Sequence, residues 1–461
     1  MKKMKTRKII YWPLILTITF VMLGFLPLNF FVSNAEAIPP FARKYRTSCS
    51  TCHSIIFKRV AFGEAFRRNG YRLPVDDQLA VKEEPVKLGV EAWKKVWPEG
   101  IWPGAIPATV PIGFYVHMRG TWEESEKGED RVDWTFDTPH EVEMLFGGTL
   151  GENVSFFGEW IAFEKGKTDE GRIGTFVIQY NDLFGLEDVL NVRFGRMDPA
   201  ALSGFNAFKE DNRLTLSHYL PNDYRVVPSS DTVPGSGASI NYKWRYRDKQ
   251  AGIELNGIMF DRLEYIAGLV NGNNSVRDDN DYKDWYYRLS YKFFGETMTM
   301  NDAPEGELKI ADNLVDNTVT IGTHGYFGKT ALSAGALSWN NEFQRFGVDM
   351  RAQYQGAELG AAYIWGTDDD PGGPSGMAPI DNVDSASWMV EASYFIFPWL
   401  APVIRYEEVD YDDSFSNDVE RVTFNISALH TANLRWTAEY VYYPDDDDGR
   451  DTFKINLLTA F

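Results

Sequence analysis

The chain has 461 residues, a formal charge of −20, 15% aromatic residues and two cysteines. Its mean hydropathy of −0.32 excludes an α-helical membrane protein, and its acidity argues against nucleic acid or an anionic lipid surface as partner and for cations or a basic redox partner. The composition does suit a transmembrane β-barrel, whose strands alternate lipid-facing apolar with lumen-facing polar residues and never build a long apolar run.

Lys2, Lys3, Lys5, Arg7 and Lys8 form a basic start, an apolar stretch runs from Ile9 to Val32, and Ala35-Glu36-Ala37 has the A-x-A form of a cleavage site. This is the pattern of a secretory signal peptide over residues 1–37, cleaved near Ala37. Pro13 and Pro27 interrupt the stretch, which disfavours an uncleaved anchor of about 20 apolar residues.

Cys49-Ser50-Thr51-Cys52-His53 follows and uses both cysteines. C-x-x-C-H is the spacing for covalent c-type haem attachment: two thiols add to the vinyl groups and the adjacent imidazole takes the iron. One covalent haem c is therefore expected on Cys49 and Cys52, with His53 as axial ligand. An oxidising compartment also permits a C-x-x-C disulfide. A thioredoxin-like site would need βαβ patterning that the flanking residues lack, and a zinc site would lack ligands, since no further Cys or His occurs before His117. For the same reason, and because no Met precedes it either, the distal iron ligand must come from further along the chain. His117 ranks first because its strand directly follows the haem segment; His324, Met197 and His218 come next. Residues 38–108 are few for a self-sufficient core, which favours docking in a barrel lumen. The basic residues Lys58, Arg59, Arg67 and Arg68 could then meet acidic lumen groups or haem propionates.

From about Ile112 to the end, period-2 alternation recurs. Trp285, Tyr287, Leu289, Tyr291 and Phe293 share one face against Tyr286, Arg288, Ser290 and Lys292; Leu434, Trp436, Ala438 and Tyr440 oppose Arg435, Thr437 and Glu439. The last strand alternates likewise and ends on Phe461, which resembles the assembly signal of outer-membrane proteins. Short periplasmic turns are read at 151–153, 184–188, 261–262, 355–358, 397–399 and 431–433. Long loops are read at 124–139, 165–173, 198–250, 272–282, 328–342, 367–386, 412–418 and 444–450, and 198–250 is long enough to fold inward. Eight long loops imply sixteen strands; a hairpin over 238–260 would make eighteen. The break at 296–317 is a long segment that parity puts on the periplasmic side. The acidic runs Asp368-Asp369-Asp370, Asp410 with Asp412-Asp413, and Asp445 to Asp448 fall on the predicted outer loops. The expected fold is all-β: an antiparallel transmembrane barrel over 109–461, preceded by a small α-helical cytochrome c domain over 38–108.

Ile38-Pro39-Pro40-Phe41-Ala42-Arg43-Lys44-Tyr45, the haem motif, and Phe62-Gly63-Glu64-Ala65-Phe66-Arg67-Arg68-Asn69-Gly70-Tyr71 resemble the N-terminal domain of the fused monohaem cytochrome c–porins, outer-membrane Fe(II) oxidases of iron-oxidising bacteria. Between the motif and the Phe-Gly pair this chain has Phe57-Lys58-Arg59-Val60-Ala61 where that family commonly shows a Pro and Leu-Asn. The resemblance implies an Fe(II)-oxidising oxidoreductase of the outer membrane, taking electrons from extracellular Fe(II) or another donor and passing them to a periplasmic cytochrome or cupredoxin. Because tunnelling falls steeply with distance and the apolar band is about 25 Å tall, a haem serving that role must sit within the lumen. The other reading is a solute porin with an accessory haem-binding domain, for which Arg193, Arg288, Lys292, Arg351 and Arg405 on the lumen face would suit anions.

Overall fold

The computed structural model describes residues 40–73, short pieces between 77 and 108, and 110–461 apart from 124–133, 167–170, 200–211, 224, 227–231, 234–236, 243, 274–277, 279, 301–315, 375–381, 412–417 and 445–450. The leader, Asp412-Asp413 and Asp445 to Asp448 lie outside the described residues.

Sixteen antiparallel strands close into one barrel. They are β1 (Ile112–Glu123), β2 (Trp134–Thr149), β3 (Val154–Glu164), β4 (Arg172–Tyr180), β5 (Asn191–Met197), β6 (Gln250–Met259), β7 (Leu263–Val270) and β8 (Asp284–Phe293), then β9 (Thr318–Ala334), β10 (Leu337–Tyr354), β11 (Ala357–Asp368), β12 (Val383–Tyr394), β13 (Leu400–Tyr411), β14 (Val419–Thr431), β15 (Leu434–Tyr442) and β16 (Thr452–Ala460). Each pairs with its chain neighbours, and β16 closes on β1 through Ala460 opposite Tyr115. Closure leaves no unpaired edge, the condition for strands to cross a bilayer.

The pleat sorts the side chains as the alternation requires. On β8, Trp285 and Leu289 are 43% and 45% exposed while Arg288 and Ser290 are 0% and 2% exposed. Ile321, Val348, Tyr363, Trp365, Ile404 and Phe424 also face outward. A closed barrel with an apolar exterior and a polar interior is an outer-membrane porin-like barrel, and the bacterial outer membrane is its location.

Two loop assignments are corrected. Residues 328–342 are mostly paired strand: β9 and β10 run on to a tight turn at 335–336, where Gly335 supplies a φ of +59°. Their inward face is apolar here, Leu332, Ala334 and Trp339 packing with Val233 and Ile240, so the apolar-out, polar-in alternation lapses, which hid the pairing. Asp368 is not a free loop carboxylate but the buried end of β11, ion-paired with Arg345 and accepting from Asn341 Nδ2 at 2.7 Å. A hairpin over 238–260 does not form; the strand begins at Gln250, and the residues before it fold inward.

Phe461 adds to the closing contact between β16 and β1. The Phe461 amide donates to the Phe114 carbonyl at 2.9 Å, the Phe114 amide donates back at 2.7 Å, and the two rings stack 5.9 Å apart. Replacing Phe461 with Asp is expected to impair insertion, read as loss of the heat-modifiable band from the outer-membrane fraction. A normal band would count against this terminal contact as part of assembly.

Candidate functional site

The motif folds as one tight turn. Ser48 caps a short 3₁₀ helix over Cys49–Thr51, its Oγ accepting from the Ser50 amide, and the amides of Cys52 and His53 both return to the Cys49 carbonyl, at 3.2 and 3.0 Å. This places Cys49, Cys52 and His53 within one turn. Helix α1 (Pro40–Tyr45) precedes it and α2 (Ala61–Arg68) follows. α2 packs directly beneath the turn: a Cβ at Gly63 would stand 2.2 Å from the Cys52 carbonyl oxygen, so glycine alone permits the approach.

These residues fit a covalently held haem. Both thiols are free and half-buried. Burial pushes the Cys52 thiol up to about 12, the reverse of the lowered value that a C-x-x-C redox nucleophile needs. His53 Nδ1 donates to the Phe57 carbonyl at 3.1 Å, so a neutral ring carries its lone pair on Nε2, the tautomer a metal ligand takes.

The segment from 40 to 73 lies against the lumen wall and is tied to it by buried ion pairs. Lys58 pairs with Glu358 on β11. Arg351 on β10 lies 2.5 Å from Glu64 of α2 and 3.0 Å from Glu358, Arg68 meets Glu264 on β7 at 2.9 Å, and Arg72 meets Asp182 at 2.7 Å. Charges of alternating sign thus run from turn to wall and back, the arrangement in which buried ions are tolerated. Apolar contacts complete the seat: Ile56 packs with Leu458 and Ala460, Ile55 with Leu214, Ala401 and Val403, and Tyr71 stacks on Phe157 at 4.7 Å. The basic residues Lys58 and Arg68 therefore meet wall carboxylates. Arg59 is joined to His53 by an isolated β-bridge.

Described residues of the connection between β5 and β6, Asn212 and beyond, fold into the barrel. Arg405 on β13 donates to Thr215 Oγ1 at 2.8 Å and to the Ser217 carbonyl at 2.9 Å, while Trp244 and Tyr246 pack on Tyr326. The loop reaches the haem-motif segment itself, where Asn212 Oδ1 accepts the Arg59 amide at 2.8 Å.

The distal candidates are dispersed. His117 lies on the lumen face of β1, 5.3 Å from the Tyr115 ring, which is in turn 5.3 Å from Phe57. His324 is fully buried on β9 against Tyr246, Met197 is buried at the end of β5, and His218 sits on the inward loop, its carbonyl accepting from Arg405 and Arg421. Sequence reasoning missed Met300. The described residues that follow β8 turn inward, so that Met300, 1% exposed, joins a cluster with Tyr45, Phe62 and Phe66 against which Cys52 also packs. The parity exception at 296–317 was the available signal: a long segment on the side of short turns needs a packing partner.

Four of the lumen cations named from the sequence are neutralised in place. Arg193 pairs with Glu254 at 2.9 Å, Arg288 with Asp349 at 2.7 Å, Lys292 with Asp316 at 2.5 Å, and Arg405 with Glu407 at 3.0 Å.

No family model matches the chain, and no curated protein does. Among solved structures, the chain is similar in fold to an anion-selective porin from Comamonas acidovorans at 9% identity, covering 77% of this chain and 99% of that one, TM-score 0.49. It is similar to the outer membrane channel DcaP of Acinetobacter baumannii at 11% identity, covering 77% and 97%, TM-score 0.48. It is similar to OmpF of Salmonella typhi at 12% identity, covering 78% and 98%, TM-score 0.48.

Proposed function

We propose that this barrel is an outer-membrane electron-transfer protein of the fused cytochrome c–porin kind, an oxidoreductase that takes electrons from extracellular Fe(II) or a similar donor and delivers them to a periplasmic carrier. Cys49 and Cys52 hold one haem c and His53 takes its iron. When bound, the group supplies one-electron chemistry at its iron. The observation that carries the reading is the His53 tautomer within a C-x-x-C-H turn, held by its Nδ1–H bond to Phe57 at 3.1 Å. The chain's own part is to orient that imidazole and to anchor the turn by the Lys58, Glu64 and Arg68 pairs.

The second reading, a solute porin with an accessory haem-binding domain, is favoured by the polar lining of the lumen. Selection for anions gains little from the lumen arginines, whose charge is matched by Glu254, Asp349 and Glu407.

Protein in liposomes separates the two. Holoprotein is expected to reduce an enclosed acceptor when ferrous ion is added outside, with loss of that reduction in His53→Ala. Solute flux with no donor-dependent reduction in the intact protein would favour the porin. In the same preparations, loss of the distal ligand converts a low-spin spectrum to high-spin. His117→Ala and Met300→Leu are the variants to compare, and an unchanged spectrum in either eliminates that residue.

A further inference from the structure

We propose that Arg435 is a positioning residue for His53, holding the ligand turn and the inward loop in one register; the inference rests on the haem reading above. Arg435 projects from β15 into the lumen and is 4% exposed. Its guanidinium donates through Nη1 to the Ile56 carbonyl at 2.5 Å. Nη2 donates to the Leu214 carbonyl of the inward loop and to Ser427 Oγ at 2.9 Å, and Nε donates to Thr437 Oγ1 at 3.0 Å. The carbonyl next along the chain from Ile56 is that of Phe57, which accepts from His53 Nδ1.

Among the described residues, the hydrogen-bond acceptors of this buried cation are neutral oxygens. Glu439, two residues along the same face, takes the loop amides of Leu216 and Ser217 at 2.5 and 2.8 Å. β15 thus grips backbone with both charges, carbonyls by Arg435 and amides by Glu439. A buried guanidinium without a carboxylate partner is a costly anchor, and its rigid planar fork can hold two separate carbonyls where a lysine's point charge cannot. Because an axial histidine's basicity is set by the bond its other nitrogen makes, a fixed Ile56-Phe57 backbone is a fixed iron potential.

The test is the midpoint potential of purified holoprotein, with the iron–imidazole stretch by resonance Raman as the second readout. Arg435→Lys keeps the charge and loses the fork. It is expected to weaken the Nδ1 bond and favour the reduced state, with covalent haem retained. The ratio of reduced to oxidised protein at the wild-type midpoint should rise about tenfold, about 59 mV for a one-electron couple. Thr437→Val, which removes one acceptor and no charge, should shift it in the same direction by less. Arg72→Gln, which loosens the same segment at its Asp182 contact, should leave the potential and the stretch unchanged. A wild-type potential in Arg435→Lys overturns the proposal in favour of a purely electrostatic role, and an equal shift in Arg72→Gln overturns it in favour of general docking. If Arg435→Lys does not fold, an unshifted Thr437→Val overturns it. Wild-type protein without covalent haem would instead sink the haem reading, an outcome visible before any variant is measured.

Discussion

Cys49→Ala or Cys52→Ala is expected to abolish stable covalent haem while leaving the barrel assembled. Attachment needs both thiols of the turn, whereas the sixteen strands contain no cysteine. Cys49 is half-exposed on the turn, whereas Cys52 packs against the Tyr45, Phe62 and Phe66 cluster, so Cys49→Ala is the variant that costs little packing. Haem staining of a denaturing gel reads the first half and heat-modifiable migration the second. Persistent covalent haem in both variants would sink the assignment; lost migration would mean that the turn is needed for assembly as well.

The second large effect concerns docking. Arg351→Glu would place a carboxylate beside Glu64 and Glu358, which now share that guanidinium at 2.5 and 3.0 Å, and would leave Lys58 as the one cation paired with Glu358. Breaking a buried pair typically costs about 3–5 kcal/mol because a charge is left uncompensated, and reversal adds repulsion. Residues 40–73 are therefore expected to leave the wall, with protease cleavage appearing in that segment and single-channel conductance rising well above wild type. Unchanged protection and conductance would show that the apolar seat around Ile55 and Ile56 holds the segment without the ion pairs. The pH dependence should follow the carboxylate of Glu64, which Arg351 and Arg68 hold below its usual range against the cost of burial. Its lowered folded value makes that contribution present above the unfolded carboxylate range and lost as pH falls through the folded one. Docking should thus weaken on strong acidification and not between pH 6 and 8.

The barrel was legible because its signal is local and repeated. On β8 and β15 each step of one residue flips a side chain between lipid and lumen, so polarity alone sorts Arg288 from Leu289 and Arg435 from Trp436. That rule falters at 328–342, where the inward face is itself apolar: Leu332, Ala334 and Trp339 pack with Val233 and Ile240, so polarity no longer sorts the two faces. It also says nothing of Asp368, whose burial depends on Arg345 across the β10–β11 pair. The C-x-x-C-H turn is equally local, since its bonds join residues between Ser48 and Val60.

By itself, then, the amino-acid order determined the membrane-spanning class, a barrel of sixteen or eighteen strands and the C-x-x-C-H motif, all of which follow from near neighbours along the chain. The tertiary structure alone decided what the turn rests on. The Glu64–Arg351, Lys58–Glu358 and Arg435–Ile56 contacts join residues 287, 300 and 379 positions apart, and Met300 reaches the Cys52 cluster from a segment that reads as an exposed connection. No periodicity encodes such pairs. Each exists because closing the sheet brings distant strands around one lumen, where a buried charge must find an opposite charge or hydrogen-bonding oxygens to offset its desolvation.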